Sequence, residues 1–141
     1  MKILFVDDES RRMRVYVEEL QDAGNQVFFE DNVDSALAIL RDNTQHFDIV
    51  VIDISMSTGA AYKFEDTDGG TRTGIALYDT IRRLRPDQKI MVFTNVSDRR
   101  VGERFDSEDT RLCRFARKPD KLPFQFAELV TEFMGGSEAV K

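Results

Sequence analysis

The chain holds a single cysteine, Cys113, and a single histidine, His46. One cysteine cannot close an internal disulfide, and its place among alternating residues marks a strand position rather than a redox centre. Neither residue is placed to join a zinc site of nitrogen and sulfur ligands. His46 precedes an apolar strand and reads as an exposed loop residue. Long apolar runs are missing too. No window approaches membrane-spanning length, and the opening "ILFV" is too short for a signal peptide, so a cytoplasmic location with no membrane partner is expected. Positive charge is in deficit: 20 Lys and Arg stand against 26 Asp and Glu, a net charge of −6. That balance argues against general nucleic-acid binding. Arginine does cluster, at Arg82, Arg83 and Arg85 and at Arg99, Arg100 and Arg104, and both clusters read as solvated helix faces.

What is present describes one globular domain. Its 141 residues suffice for a core, at 41% hydrophobic and 33% charged residues. Short apolar runs alternate with helical patterns along the whole length. "KILFV" ends in Asp7-Asp8. Met13, Tyr16, Val17 and Leu20 then mark one helical face, which Gly24-Asn25 stops. "QVFFE" is a second strand, and Val33, Ala36, Leu37 and Leu40 form a second helical stripe. "FDIVVIDI" lacks alternation, as a strand buried on both faces does. Ile75, Tyr78, Ile81 and Leu84 place a third helix, with Thr73 as its N-cap and Pro86 ending it. "KIMVF" is a fourth strand, followed by a helix from about Asp98 to Phe105 with few apolar anchors. "RLCRFA" is a fifth strand. Phe126, Leu129, Val130 and Phe133 form the last stripe, with Pro123 in its first turn.

Five βα units in a row predict an α/β fold, a doubly wound, five-stranded parallel sheet (βα)5 with helices on both faces. Such sheets bind ligands beyond the carboxyl ends of their strands. By analogy with flavodoxin-like sheets of order 2-1-3-4-5, strands one and three are neighbours, and Asp7, Asp8 and Asp53 converge on one crevice. Three unpaired carboxylates there repel one another, and a divalent cation resolves the conflict. Hard oxygen ligands favour Mg²⁺. Thr94 ends strand four and offers a hydroxyl; Lys118 follows strand five and offers a positive charge. The set suits phosphoryl transfer to a carboxylate.

These residues carry a resemblance. The chain resembles a receiver domain of the response-regulator family of two-component signalling over about residues 2–134. "ILFVDDES" is similar to the family's acidic pair, "VVIDISM" to its phosphorylated strand, "MVFTN" to its Thr/Ser strand, and "FARKP" to its Lys-Pro ending. "GIALYDTIRRL" also fits, through Gly74, Leu77, Ile81 and Arg82. The resemblance implies Asp53 as phosphoacceptor. It implies Asp8 as a direct Mg²⁺ ligand with Asp7 assisting, and the Ser55 carbonyl completing the protein ligands. Thr94 and Lys118 would contact the phosphoryl group, and Phe115 holds the place of an aromatic switch paired with Thr94. The donor is then a histidine kinase or phosphotransfer protein, and the output a downstream protein target, with a homodimer as one form of it. The departures are Ser57, where the family often has proline, and Asn95, where it often has a small residue. Ser55 and Val96 occupy positions that influence loss of the phosphoryl group in this family.

From about 56 to 72 the connection is far longer than a βα unit needs, and reads as an insertion after strand three. Tyr62 and Phe64 are its large apolar residues and predict packing or docking rather than a solvated loop. "EDTDGG" lacks the ligand spacing of a calcium loop. The end, 135–141, reads as a flexible tail with no output domain after it, so the expectation is a single-domain regulator that catalyses its own phosphorylation and turns over no external substrate. Two other readings compete. One is a receiver-like binding module that signals without phosphate. The other is a small phosphatase of the haloacid-dehalogenase type with Asp7 as nucleophile, although Glu9 stands where that pattern wants aspartate. A dinucleotide or flavin binder fits less well still, because no glycine loop follows strand one and "DDES" would repel a pyrophosphate.

Overall fold

The computed structural model describes residues 1–65 and 67–135. Asp66 of "EDTDGG" and residues 136–141 of the expected tail lie outside the described residues. The strands are β1 (Lys2–Val6), β2 (Gln26–Glu30), β3 (Ile49–Ile52), β4 (Ile90–Thr94) and β5 (Cys113–Arg117). The helices are α1 (Ser10–Asp22), α2 (Val33–Leu40), α3 (Thr73–Leu84), α4 (Arg99–Asp106) and α5 (Pro123–Phe133), with a 3-10 turn over Lys118–Asp120. All strand pairs are parallel and the sheet order is β2-β1-β3-β4-β5, as expected.

Strand alternation divides the core. Leu4, Val6, Val50, Ile52, Ile90 and Val92 face one layer, which α2, α3 and α4 cover. Ile3, Phe5, Ile49, Val51, Met91 and Phe93 face the other, covered by α1 and α5. Successive strand side chains point to opposite faces, so both faces of the inner strands are apolar. On the α1/α5 side, Phe126 stacks on Phe93 with ring centroids 4.2 Å apart, and Tyr16 meets Phe93 edge-on at 5.1 Å. The Tyr16 hydroxyl escapes burial without a partner by donating to the Lys121 carbonyl at 2.8 Å.

Three local expectations need correction. Thr73 does not cap α3: Arg72 holds that position, and Thr73 is the first helical residue, fully buried. Its hydroxyl donates to the Met56 carbonyl at 2.6 Å, so it ties the helix to the preceding connection rather than to its own first turn. Leu84 is exposed; the buried face of α3 is Thr73, Gly74, Leu77, Tyr78, Thr80 and Ile81. The arginines are not all solvated. Arg82 donates to the Pro86, Gln88 and Leu112 carbonyls and to the Tyr78 hydroxyl, and Arg85 donates to the Leu40 carbonyl. Arg104 pairs with Asp79 at 2.7 Å. Arg83, Arg99 and Arg100 are exposed as expected.

Between β3 and α3 the chain closes on itself. Met56 N–H donates to the Gly70 carbonyl at 3.1 Å, and Met56 and Thr67 are buried. The body of the loop then folds back on its neighbours. Asp34 of α2 accepts from Ala60 N–H at 2.8 Å and Ala61 N–H at 2.9 Å, which holds its carboxyl below the usual range. Gly59 has φ 60°, and a Cβ there would lie 2.6 Å from the Asp34 carboxylate, so the tether requires glycine. Tyr62 is buried and donates to Thr80 Oγ1 on α3 at 2.7 Å. Phe64, by contrast, is 92% exposed. Arg72 reaches the first turn of α4, pairing at 3.0 Å with Asp98, the N-cap whose other oxygen accepts from Arg100 N–H.

At Gly74 the start of α3 lies directly on the strand-three end. Gly74 N–H donates to the Ile54 carbonyl at 2.8 Å, and an added Cβ would fall 1.9 Å from the Asp53 carbonyl oxygen. Replacing Gly74 by alanine therefore costs several kcal/mol, at or above the roughly 1–3 kcal/mol of ordinary overpacking. Gly102, inside α4, has open space around its Cβ position. There alanine stabilises by up to about 1 kcal/mol through helix propensity. Denaturant melts of the two variants should move in opposite directions. Asp34→Ala should speed amide exchange at Ala60 and Ala61 while leaving β1 and β3 amides protected; hydrogen exchange checks this.

Candidate functional site

Parallel pairing sets the site. Val6 of β1 is in register with Ile52 of β3, so the next residues, Asp7 and Asp53, emerge side by side. Asp53 N–H donates to the Val6 carbonyl at 3.2 Å. Thr94 ends β4 in register with Arg117 of β5, and the 3-10 turn that follows brings Lys118 inward. All four of these polar residues are buried, Asp7 and Thr94 completely. Asp8 is exposed at the rim. The crevice of 250 Å³ above Asp53 is walled by Asp8, Glu9, Ser55, Thr94, Asn95 and Val96.

Lys118 Nζ is the only buried cation among the described residues, and it faces three carboxylates. It lies 2.8 Å from Asp7 Oδ2, 2.9 Å from Asp53 Oδ2 and 3.0 Å from Glu9 Oε1. It donates hydrogen bonds to Asp53 and Glu9. Asp7 Oδ2 is buried, and its one polar neighbour is the Lys118 ammonium, in ionic contact rather than in a well-formed hydrogen bond. The remaining oxygens are held by backbone: Asp53 Oδ1 accepts from Ile54 N–H at 2.6 Å and Asp7 Oδ1 from Glu9 N–H at 2.8 Å.

The electrostatics follow from burial. Burial pushes the Asp7 carboxyl up to about 6; the Asp53 charge adds to this, and the Lys118 ammonium opposes it. Asp8 is also raised, by burial first, with the Ser57 backbone opposing and the Asp53 charge assisting. Burial alone would lower Lys118, but Asp53 and Asp7 outweigh it and hold the ammonium above its usual range.

Asp7, Asp8 and Asp53 each bring one oxygen to within 4.8 Å of the other two. Oxygen-only donors, an orphaned buried carboxylate oxygen and two raised carboxyls fit a hard divalent cation such as Mg²⁺. The expected Asp7, Asp8, Asp53, Thr94 and Lys118 thus come together, with Ser55 on the wall. Phe115 sits apart on β5, half-buried and stacked on Phe105 of α4 at 5.9 Å. Two features were missed by sequence reading. Glu9 turns inward to Lys118, 109 residues away. Gly74, part of the helical motif, is required sterically by its close seat on the Asp53 carbonyl. For Glu9 the one available signal was its place beside the acidic pair.

Comparison with known proteins places this geometry. The response regulator receiver domain model matches residues 3–110. None of the curated proteins matches the sequence. Among solved structures, a CheY-like response regulator receiver domain protein from Methanospirillum hungatei JF-1 is 20% identical. The match covers 99% of this chain and 98% of that one, with a TM-score of 0.70. A response regulator receiver domain protein from Clostridium thermocellum is 19% identical, with 99% and 98% covered and a TM-score of 0.73. The response regulator TrrA from Thermotoga maritima, solved in complex with Mg(2+)-BeF, is 25% identical, with 94% and 97% covered and a TM-score of 0.68. No described helix is long and apolar enough to cross a membrane. With its sheet order, its acidic cluster and a family match over most of its length, the chain belongs to the response regulator receiver domain family.

Proposed function

We propose that the chain is a phosphorylatable receiver switch: Asp53 accepts a phosphoryl group from the phosphohistidine of a histidine kinase or phosphotransfer protein. The observation that carries this is the convergence of Asp7, Asp8 and Asp53 oxygens within 4.8 Å, with Lys118 Nζ 2.9 Å from Asp53. One Asp53 carboxylate oxygen attacks phosphorus, the P–N bond to the donor imidazole breaks, and its electron pair stays on nitrogen. The nucleophile is held in place by the Ile54 N–H and the Lys118 ammonium. Such pre-orientation is the main service a protein provides in phosphoryl transfer.

Asp7, Asp8, Asp53 and the Ser55 carbonyl would hold Mg²⁺, which when bound supplies positive charge against that of the transferring group. Lys118 would neutralise a second part of the phosphoryl charge. Thr94 Oγ1 accepts from Val96 N–H at 3.2 Å, so its own proton is available for a phosphoryl oxygen. Asn95 on the crevice wall adds an amide that the family's usual small residue lacks.

The response travels to a protein-binding face through α4. A phosphoryl group replaces the single Asp53 carboxylate charge with roughly two and adds three strong acceptors at the strand ends. Thr94 moving toward it changes the support of the β4–α4 connection, and Phe115, stacked on Phe105, links the same change to α4. The resting position of α4 is secured by Asp98–Arg72 and Asp79–Arg104 ion pairs and by the Tyr78 hydroxyl donating to Glu108 at 2.6 Å. The unit that switches is residues 1–134, with 56–72 an insertion that braces α2, α3 and α4.

Incubation with Mg²⁺ and a partner kinase or acetyl phosphate should add one phosphoryl mass to the intact chain, and Asp53→Ala should abolish the gain. A chain that never gains mass, or gains it equally without Asp53, overturns the proposal. The Asp7 shift makes a separate prediction. A carboxyl raised from 3.8 to about 6 contributes stability that is full below about pH 4 and lost as pH rises through about 6. In EDTA at pH 7.5, Asp7→Asn should therefore stabilise by roughly 1–3 kcal/mol, and the gain should shrink towards pH 5. Thermal melts across that range measure it.

A further inference from the structure

Glu9 precedes α1 at the capping position, where a side-chain oxygen ordinarily accepts from the helix's first N–H groups. Here it makes no such bond. Its carboxylate points into the crevice instead. Oε1 accepts from Lys118 Nζ at 3.0 Å, and Oε2 lies 3.5 Å from Arg12 NH1. The side chain is 31% exposed, on the crevice wall, and so has room to move, while Lys118 is buried.

The ammonium is thus divided among three carboxylates, two of them buried aspartates that cannot leave. Glu9 is the mobile member. A phosphoryl group on Asp53 replaces the single carboxylate charge with roughly two, a net gain of about one, and requires the same ammonium. It meets the Glu9 carboxylate already bound there, at a distance where like charges repel strongly in a partly desolvated crevice. Arg12 offers Glu9 an alternative partner away from the crevice, one helical turn along α1.

Resting on the reading of Asp53 as phosphoacceptor, we propose that Glu9 is a positioning residue that acts through Lys118. Its carboxylate holds the ammonium in the unphosphorylated protein, retreats to Arg12 as the phosphoryl group arrives, and thereby slows phosphorylation of Asp53. Glu9 neither attacks nor binds the reacting atoms. Its effect is to make Lys118 less available to the incoming group.

The test uses the full chain, Mg²⁺ and acetyl phosphate. An Asp53 carboxylate oxygen bonds to phosphorus as the P–O bond to acetate breaks, and acetate leaves with the electron pair. Intact mass followed over time gives the labelling rate of wild type, Glu9→Gln, Arg12→Ala and the double variant. Glu9→Gln keeps the shape and removes the charge, and should label roughly three- to tenfold faster at low ionic strength. The excess should shrink as salt rises. Arg12→Ala should slow labelling when Glu9 is present and do nothing when Gln replaces it, a coupling that a merely structural contribution of either residue would not produce. Labelling of Glu9→Gln at or below the wild-type rate, or an Arg12→Ala effect that persists in the double variant, overturns the inference while the phosphoacceptor reading stands. If no variant gains mass at Asp53, that reading falls and the inference falls with it.

Discussion

The contact between Lys118 and the carboxylates at the strand ends is the constraint around which this structure is organised. Parallel pairing of β1 and β3 forces Asp7 and Asp53 to emerge together, buried, with like charges at close range. Left alone, that arrangement costs more than a domain of this size easily bears. Lys118 offsets it, and does so only because β5 lies next to β4 in the right register and a 3-10 turn follows at once. The cluster is charge-balanced, so removing or adding one charge upsets all the groups around it.

The connection between β3 and α3 has a different logic. It is long, yet none of its described residues after Ser55 walls the crevice. Its ends are stitched together at Met56, Gly70 and Thr73, and its body is tied to α2 through Asp34 and to α3 through Tyr62. Its last residue, Arg72, meets the cap of α4. The segment therefore touches the helices of one face of the sheet, the layer in which α4 also lies. Its anchors replace the disorder that length alone would suggest, because each buried or tethered group compensates for part of the ordering entropy of the chain. Phe64 is left outside this scheme, fully exposed on an otherwise fastened loop.

Periodicity conveyed the elements well because it reports burial directly. Val33, Ala36, Leu37 and Leu40 repeat every helical turn and all are buried, and the unbroken apolar run of β3 is buried on both faces. It failed where a side chain's partner is remote. Thr73 has the chemistry of a cap, but its hydroxyl serves Met56, 17 residues earlier. Leu84 continues the stripe of α3 yet is exposed. Arg82 looks like a surface charge, yet its guanidinium satisfies three carbonyls around the α3 C-terminus and the start of β5. A one-dimensional pattern encodes which residues prefer to be buried, and not which exposed-looking groups find acceptors.

The sequence by itself determined the alternation of strands and helices, the parallel sheet and the acidic, hydroxyl and basic residues at the strand ends, since those depend on local hydrophobic period and on residue type at element boundaries. Tertiary structure alone decided how the charges are shared. The position of Glu9 on Lys118, the Asp7 oxygen facing the same ammonium and the close seat of Gly74 on Asp53 arise from contacts between residues far apart in the chain, where distances of a few ångströms decide the chemistry and no spacing in the chain records them.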